Sequence, residues 1–405
     1  MSRLEELIQE LCPNGVEWQN LESVCKQIFA GGTPNTAISE YYDGDIPWIR
    51  SGEINFNIIK KSERCITELG YRNSSAKLIE AQSVVMAMTG ATVAKSAIVD
   101  IELTANQSVC ALVPLRKVLN YKFLYYCLSN MYNDLKSKGQ GALTSLNLKM
   151  IKEVRIPVPP MEVQCEIVHI LDQFTLLTAE LTAELTGRQQ QYEYYRNKLI
   201  DEVVGKKGKL IELLIQPVTD GPHTTPKLYK EGVPFVSATA IYDGKVHLND
   251  MKGYISKEFD EECSRKYKPK KFDVYMVKSG STTGKVAIVD FDADFNIWSP
   301  LAALRTGSET QAWYLYHLLQ TSNVQEQVLS RMSQGSQPNL SMRVIEQFDV
   351  IIPSMDEQER IVNIINKFDA YCNDLTQGLP AEIELRKQQY EYYRDKLLSF
   401  KELEV

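Results

Sequence analysis

Few residues of this sequence are of the kinds that build disulfide frameworks, metal centres or membrane spans. Its 405 residues include eight cysteines and four histidines, scattered along the chain. The cysteines form no C-x-x-C pair, so we predict reduced thiols rather than a disulfide or zinc framework. The histidines lack the spacing of metal ligands, and we interpret them as structural or surface residues. The longest apolar runs are too short to cross a bilayer and no secretory signal precedes them, which predicts a cytoplasmic protein.

Recognisable catalytic motifs are also missing. The segment GSTTGK at 280–285 is close to a phosphate-binding P-loop, which needs four residues between its glycines and Ser or Thr after its lysine. Here three residues separate Gly280 from Gly284, and valine follows the lysine. The Pro-Pro pair at 159–160 lacks the neighbours of an Asp/Asn-Pro-Pro-aromatic tetrad, and no Pro-Asp dipeptide of the common nuclease signature occurs. The sequence therefore predicts a chain with neither a catalytic centre nor a cofactor of its own.

The formal net charge of −7 is unevenly distributed. Residues 1–155 contain 17 basic and 16 acidic residues, and residues 206–349 contain 18 and 17, so both stretches are nearly neutral. Residues 156–205 contain 3 basic and 8 acidic residues, and residues 350–405 contain 7 and 11. The balanced stretches can carry local basic faces, whereas the acidic ones suit a protein partner or solvent.

The strongest positive feature is an internal repeat. RQQQYEYYRNKL at 188–199 and RKQQYEYYRDKL at 386–397 share ten of twelve residues, and MEVQCEIVHILDQF at 161–174 matches MDEQERIVNIINKF at 355–368. The offset between copies grows from 194 to 198 residues, so the second copy carries about one additional helical turn. A fixed period of this length predicts two copies of a globular domain, each followed by a long helix.

We therefore predict an α+β fold with an internal two-fold repeat. Two mixed α/β domains are separated by a pair of long antiparallel coiled-coil helices, whose apolar residues recur at helical spacing. The additional turn contains Gly378 and Pro380, where we expect a break or kink. The predicted boundaries are 1–159 for the first domain, 160–205 for the first helix, 206–353 for the second domain and 354–405 for the second helix.

Polar loops with basic neighbours recur in both halves. Their hydroxyl and amino groups can donate to phosphates, and their amide and guanidinium groups can bind base edges. The segment RKYKPKK at 265–271 adds five cations. The candidate DNA-binding residues are Thr33, Asn35, Arg50, Ser51, Thr89, Thr92, Lys95, Lys138, Gln140 and Thr144 in the first half, and Thr224, Thr225, Lys227, Ser237, Thr239, Lys278, Ser281, Thr282, Thr283, Lys285, Gln334, Ser336 and Gln337 in the second.

Together these features resemble the specificity subunit of type I restriction–modification systems, over essentially the whole chain. The resemblance is carried by four motifs that occur in both halves, together with the tyrosine-rich helix ends. They are a Gly-x-Pro-like turn (32–34 and 221–222), a Ser-Gly-x-Thr-x-Gly-Lys hairpin (279–285, degraded at 89–95), a G-x-x-x-x-L-S/N-x-x-x-I loop (141–151 and 335–345), and Pro-x-x-x-x-Gln at each helix start (159–164 and 353–358).

The resemblance implies that each domain is a target recognition domain reading one half of a split site in double-stranded DNA. The helices then act as a spacer and dock two methyltransferase subunits, with restriction subunits completing the complex. S-adenosylmethionine, ATP and Mg are expected on those partners rather than on this chain. The predicted partner-binding residues are Tyr192, Tyr195, Arg196, Tyr390, Tyr393 and Arg394.

Two alternatives remain open at this stage. One is a stand-alone DNA methyltransferase or nuclease with an unrecognised active site. The other is a coiled-coil scaffold unrelated to DNA, which would show no salt-dependent DNA affinity.

Overall fold

The computed structural model describes residues 3–139, 145–333, 338–373 and 378–403. Within it the chain divides into two compact units. Unit 1 comprises Met1–Glu180 together with Ile383–Val405, and unit 2 comprises Leu181–Glu382. All eight cysteines are free thiols, as predicted.

The described residues of unit 1 form ten short strands in three sheets. The strands are β1 (Trp18–Asn20), β2 (Cys25–Ala30), β3 (Tyr42–Ile49), β4 (Ile58–Ile59), β5 (Arg64–Ile66), β6 (Ser83–Ala87), β7 (Ser96–Val99), β8 (Thr104–Ala105), β9 (Val109–Pro114) and β10 (Arg155–Pro157). The main sheet has the order β2-β9-β6-β7-β4, a second has the order β5-β3-β8, and β1 pairs with β10. β6 and β7 pair antiparallel around the hairpin motif at 89–95 and are buried along their whole length.

Short helices pack against the sheets of unit 1, most of them against one face of the main sheet. They are α1 (Arg3–Leu11), α2 (Leu21–Val24), α3 (Glu68–Arg72), α4 (Tyr121–Asn130), α5 (Tyr132–Ser137) and α6 (Leu148–Lys152), with 3₁₀ turns at Ser39–Tyr41 and Ser51–Glu53. The Asn120 side chain caps α4 by accepting from the backbone N–H groups of Lys122 and Phe123. Alternate residues of β6 and β9 point into two separate apolar clusters, one under the helices and one on the other face.

The first long helix is α7 (Met161–Asp201), 41 residues long, which confirms the predicted length. Its start is fixed by the Gln164 side chain, which is fully buried. The Gln164 amide donates to Pro159 O and Val118 O, both at 2.8 Å, and its oxygen accepts from Asn120 N at 2.9 Å. Gln358 repeats the first of these bonds with Pro353 O at 3.1 Å. The Pro-x-x-x-x-Gln motif is therefore a device that joins the exit strand of a domain to its helix.

Unit 2 repeats this arrangement. Its strands are β11 (Lys206–Lys209), β12 (Thr219–Asp220), β13 (Val233–Val236), β14 (Ile241–Tyr242), β15 (Lys245–Val246), β16 (Gly253–Ile255), β17 (Val274–Val277), β18 (Val286–Ile288), β19 (Asn296–Ile297), β20 (Leu301–Leu304) and β21 (Asp349–Ile352). The sheet orders are β12-β20-β17-β18-β15-β14, β16-β13-β19 and β11-β21, so each sheet of unit 1 has a counterpart. The internal repeat therefore holds at the level of topology.

The helices that follow α7 along the chain lie in unit 2, except that the last of them continues into unit 1, and the predicted interruption of the second long helix is present. They are α8 (Lys257–Ser264), α9 (Glu309–Leu319), α10 (Ser322–Arg331), α11 (Met342–Glu346), α12 (Met355–Asn373) and α13 (Leu379–Leu397), with 3₁₀ turns at Leu210–Leu213, Ala238–Ala240 and Leu248–Asp250. Gly378 lies in a bend and Pro380 is the second residue of α13, where its missing N–H needs no helical acceptor. No helix in the described ranges is long and apolar enough to cross a membrane.

Candidate nucleic-acid interface

Loops that are far apart in the sequence of unit 1 meet at one end of its sheets. The glycine turn reaches the end of β8, where Gly32 N donates to Ala105 O at 2.8 Å. The next residue on that side, Asn106, donates its N–H to Ile49 O at 2.9 Å, which brings the end of β3 alongside. The glycine turn, the loop after β3 and the turn after β8 therefore form one surface.

The hairpin between β6 and β7 joins the same surface. Met88 N donates to Ser108 O and Leu146 N donates to Met88 O, both at 2.8 Å. At the tip, the Thr92 hydroxyl donates to Ser51 O at 2.7 Å. We call residues 31–35, 50–55, 88–95, 106–108 and 145–146 the loop face of unit 1.

Unit 2 has the same surface, built by the same backbone bonds. Trp298 N donates to Val236 O at 2.9 Å, Lys278 N donates to Pro300 O at 2.8 Å, and Leu340 N donates to Lys278 O at 2.7 Å. These three bonds correspond in order to the Asn106, Met88 and Leu146 bonds of unit 1. The loop face of unit 2 comprises residues 221–226, 237–240, 278–285, 298–300 and 338–340.

A glycine is required in the turn of each loop face because the neighbouring chain passes too close for a side chain. A Cβ at Gly31 would lie 2.2 Å from Ala105 O, and one at Gly221 would lie 1.9 Å from Ile297 O. Both obstacles are backbone atoms, which cannot move aside cheaply. The Gly-x-Pro-like turns are therefore close approaches between a loop and a strand end.

The side chains on the loop face of unit 1 are held by local partners. Lys95 Nζ donates to Asn55 Oδ1 at 2.7 Å and lies 5.8 Å from the centre of the Phe56 ring. The Arg50 guanidinium donates to Glu63 at 2.7 Å, and its buried Nε has no acceptor among the described residues. Both cations remain partly accessible. Their side chains are therefore held in place by neighbours and can still donate hydrogen bonds to a ligand.

An ionic cluster that the sequence did not indicate lies under the loop face of unit 2. The Asp220 carboxylate is fully buried, with Lys266 Nζ at 2.5 Å from Oδ1 and Lys278 Nζ at 3.2 Å from Oδ2. His223 Nε2 lies 3.1 Å from the same Oδ2. Burial alone raises the pKa of Asp220, but the hydrogen bond from Lys266 and the charges of Lys266 and Lys278 outweigh it and lower the pKa below its ordinary value.

The basic segment 265–271 has a structural role in addition to any contact with DNA. Lys268 contacts Asp260 at 2.9 Å and Asp294 at 2.6 Å, and Lys271 lies 3.7 Å from Asp292. The run of five cations is therefore largely neutralised within unit 2 rather than forming an open basic patch.

The candidate DNA-binding residues fall into four groups by accessibility. The exposed ones are Asn35, Lys138, Thr224, Thr225, Lys227, Thr239, Ser281 and Lys285; the half-buried ones are Thr33, Arg50, Ser51, Thr89, Thr92, Lys95, Thr282 and Thr283; Ser237 and Lys278 are buried; and Gln140, Thr144, Gln334, Ser336 and Gln337 lie outside the described residues. Lys138, at the end of α5, and Lys227, 5.4 Å from the Tyr229 ring centre, lie outside the loop faces as defined.

Comparison with known proteins identifies the family. The family model described as the type I restriction modification DNA specificity domain matches residues 13–187 and 221–385. The chain belongs to this family of specificity subunits. This confirms the resemblance inferred from the sequence motifs, and with it the interpretation of the chain as a DNA-recognition component rather than a catalytic one.

Curated relatives and solved structures extend the match over most of the chain. The subunit is 30% identical over 347 residues to the EcoR124I/EcoR124II specificity subunit of Escherichia coli, covering 82% of this chain and 84% of that one. It is 33% identical over 299 residues to a putative type I specificity subunit of Haemophilus influenzae, covering 70% and 74%.

Two solved structures confirm the predicted fold class. A chain from a study of complex assembly and conformational transition of the type I R-M system superposes with a TM-score of 0.66 at 15% identity, covering 96% of this subunit and 98% of that chain. The S subunit from M. genitalium gives a TM-score of 0.52 at 15% identity, covering 95% and 96%.

The tyrosine-rich helix ends of the specificity subunit pack on a domain. In unit 2, Tyr192 and Arg196 of α7 are buried, and Arg196 donates to Gln320 O at 2.9 Å. In unit 1, the Arg394 guanidinium of α13 donates to Asn130 Oδ1 at 2.9 Å. The Arg196 and Arg394 guanidinium groups lie 5.3 and 5.6 Å from the rings of the tyrosines one turn earlier. These residues join helix and domain within each unit.

Other tyrosines of the same blocks remain accessible on the specificity subunit. Tyr195 is 46% exposed and Tyr393 is 41% exposed, although each has an aromatic neighbour, Phe368 and Phe174 respectively. More exposed still are Tyr194 at 58% and Tyr392 at 62%, which the sequence prediction did not include. Helical spacing alone does not tell which of several adjacent tyrosines faces the domain.

Several loop-face residues escaped the sequence prediction. Asn55 and Gln107 hold Lys95 and Thr33 respectively, and Trp298 of the unit 2 loop face has Lys252 Nζ, from outside that face, at 3.3 Å from its ring centre. Gln107 follows the two-residue strand β8 in a polar Asn-Gln-Ser run, a turn signal that could have been recognised.

Proposed function

We propose that this specificity subunit reads a bipartite site in double-stranded DNA, with one loop face for each half-site. The proposal is carried by one observation: the two loop faces have the same backbone hydrogen-bond framework but different side chains. Phosphate contacts fix the register of a protein on DNA, whereas side chains at base edges specify the sequence. Two loop faces that bind DNA in the same way but recognise different sequences require a constant backbone framework with different side chains.

Equivalent positions show how far the chemistry has diverged. In unit 1 the strand register pairs Ala30 with Cys110, and in unit 2 it pairs Asp220 with Ala302. Cys110 and Ala302 are equivalent residues of the two units, so Ala30 corresponds to Asp220. By the same registers, Met88 corresponds to Lys278. The loop after the third strand of each unit begins with Arg50 in unit 1 and with a serine in unit 2. The two loop faces therefore differ in charge as well as in shape.

We further propose that the subunit docks two methyltransferase subunits and the restriction subunits, which carry S-adenosylmethionine, ATP and Mg. The proposal is supported by the repeated tyrosine blocks, each of which leaves an exposed tyrosine in its own unit (Tyr194 and Tyr392). A surface that occurs twice suits two copies of one partner. Among the described residues there is no cluster of three His, Cys, Asp or Glu side chains that could hold a metal.

A matched pair of variants tests the assignment of faces to half-sites. Lys95 and Lys285 occupy equivalent positions, because their carbonyls accept from Ala87 N and Val277 N at 2.9 and 2.8 Å. Lys95→Ala should weaken binding by about tenfold on the intact site, the loss expected for one charged contact. On DNA scrambled in the first half-site the same change should have little effect, while Lys285→Ala retains its full effect there.

The binding assay uses the assembled complex and a duplex selected by the wild type from a random pool. Exchange of residues 1–155 for another such domain should likewise change one half of the methylated site in the cell. Equal losses of affinity for both lysine variants, whichever half-site of the duplex is scrambled, would contradict the proposal. So would a domain exchange that alters both half-sites. Methyl transfer by the isolated chain with S-adenosylmethionine would instead favour a stand-alone methyltransferase.

A further inference from the structure

We propose that Asp220 is a buried positioning residue that holds Lys266 and His223 on the loop face of unit 2 as a clamp for one DNA phosphate. This inference rests on the proposed function, because it assigns a contact to the second reading face. It concerns residues that neither motif nor sequence pattern brought together.

The geometry places one carboxylate at the base of the clamp and two accessible nitrogen-bearing side chains above it. The Asp220 side chain has no exposed surface, whereas the side chains of Lys266 and His223 are 54% and 72% exposed. Lys278, in contrast, is only 10% exposed and lies beside the same carboxylate. Asp220 and Lys278 thus form a buried base, and Lys266 and His223 reach from it into solvent at the glycine turn.

The charge balance of this cluster favours an anion. A single carboxylate faces two ammonium groups, so Asp220, Lys266 and Lys278 together carry an excess of one positive charge. Exposed Lys227 and Lys285 lie in or next to the same loops and add to the field. A phosphodiester is the anion that the proposed partner presents at regular intervals.

The buried carboxylate is also incompletely satisfied. Asp220 Oδ2 accepts no hydrogen bond of good geometry among the described residues, although His223 Nε2 and Lys278 Nζ lie 3.1 and 3.2 Å away. An acceptor that is buried without an aligned donor is costly in a folded protein. In its imidazolium form the His223 ring has two N–H donors, so a small rotation on binding a phosphate would direct one to this oxygen and leave the other for the phosphate.

The fold itself does not need the buried Asp220–Lys278 ion pair. In unit 1 the two positions hold Ala30 and Met88, and the Met88 backbone makes the same bonds to the neighbouring loops as the Lys278 backbone. Apolar pairs in such positions are often as stable as buried ion pairs. The ionic pair of unit 2 therefore has a role in the second half-site rather than in the architecture.

The unit 1 pair supplies the decisive variant. Asp220→Ala alone would leave Lys278 buried without a partner and confuse folding with binding. The double change Asp220→Ala with Lys278→Met removes the buried charges together and recreates the pair already present in unit 1. The thermal unfolding temperature should then be close to that of the wild type, while Lys266 and His223 lose the carboxylate that holds them in place.

The full-length chain in its assembled complex is titrated with the wild-type-selected duplex at several salt concentrations. The double variant and Lys266→Ala should each bind about tenfold more weakly, with the slope of log K against log[salt] reduced by about one. His223→Ala should weaken binding in the same direction, and adding Lys266→Ala to the double variant should cost little more. Lys257→Ala, which removes an exposed cation on α8, is the matched control and should leave the slope unchanged.

A stable double variant with wild-type affinity and slope would overturn the clamp, because Asp220 would then be purely structural. Unchanged binding by Lys266→Ala and His223→Ala would overturn it as well. In both cases the wild type still binds, so the proposed function survives. If the wild-type complex binds no duplex in a salt-dependent way, the proposed function fails and the clamp fails with it.

Discussion

Lowering the pH from 7 to 5 should destabilise unit 2 by about 2 kcal/mol through His317 alone. His317 is fully buried between α9 and α12. Its Nε2 lies 2.7 Å from Asn366 Oδ1, which accepts the N–H of the neutral ring. The other ring nitrogen, Nδ1, is buried with no partner among the described residues, so a second proton there would find no acceptor.

The direction and size of the effect follow from this environment. Burial lowers the pKa of His317 from 6.5 to about 4, against the opposing effects of Asn366 and Asp369 and together with the charge of Arg196. The unfolded chain therefore takes up a proton near pH 6.5 while the folded unit stays neutral. The contribution of His317 to the free energy of unfolding is fully present above pH 6.5 and is lost as the pH falls toward 4. The loss reaches about 3 kcal/mol at pH 4.

The assay is urea unfolding at pH 7, 6 and 5, followed by tryptophan fluorescence, to which Trp313 contributes from 6.1 Å away. His317→Gln should be less stable at pH 7 because packing is lost, but its stability should fall about 2 kcal/mol less by pH 5. His169→Gln on α7, where the histidine is exposed, is the control and should keep the wild-type pH dependence. An equally steep pH dependence in His317→Gln would refute the reasoning.

Two further predictions concern the loop face and the helices. Gly31→Ala should destabilise unit 1 by about 3 kcal/mol in denaturant unfolding, since its Cβ would meet Ala105 O at 2.2 Å, whereas Gly52→Ala has open space and should be tolerated. Similar stabilities for the two variants would show that the glycine turn yields easily. Removing four residues around Gly378–Pro380 should shorten the gap between methylated half-sites by about two base pairs, since one helical turn is about 6 Å, and keep both half-site sequences. Inserting two residues there should rotate the following segment by about 200° and abolish binding, and methylated-site mapping that shows an unchanged gap would exclude a spacer role.

Much of the fold could be predicted because repeated segments and the spacing of apolar residues along the chain indicate it. Near-identical blocks at 188–199 and 386–397 revealed the duplication, and apolar residues at helical spacing predicted the length of α7 correctly. The stretch 121–137 forms two helices rather than one, since the chain turns at Met131 between α4 and α5. Both segments keep helical spacing across that turn, so periodicity alone could not show it.

The candidate site could be predicted only as a set of loops. Polar composition singled out the hairpin tips and the glycine turns, and the structure brings these together. Composition did not show that Lys278 is buried, nor that Lys268 is neutralised by Asp260. Whether a cation is a free donor or an internal partner depends on which carboxylate the fold places beside it.

The sequence by itself determined the duplication, the helices and the family, because each depends on residues that are neighbours along the chain or on direct similarity between copies. The tertiary structure decided which segments belong together. Arg394 bonds to Asn130, and Arg196 to Gln320, although more than a hundred residues separate each pair. Such contacts follow from the shape of the surfaces and the bonds that the chain can satisfy once folded, and no local pattern records them.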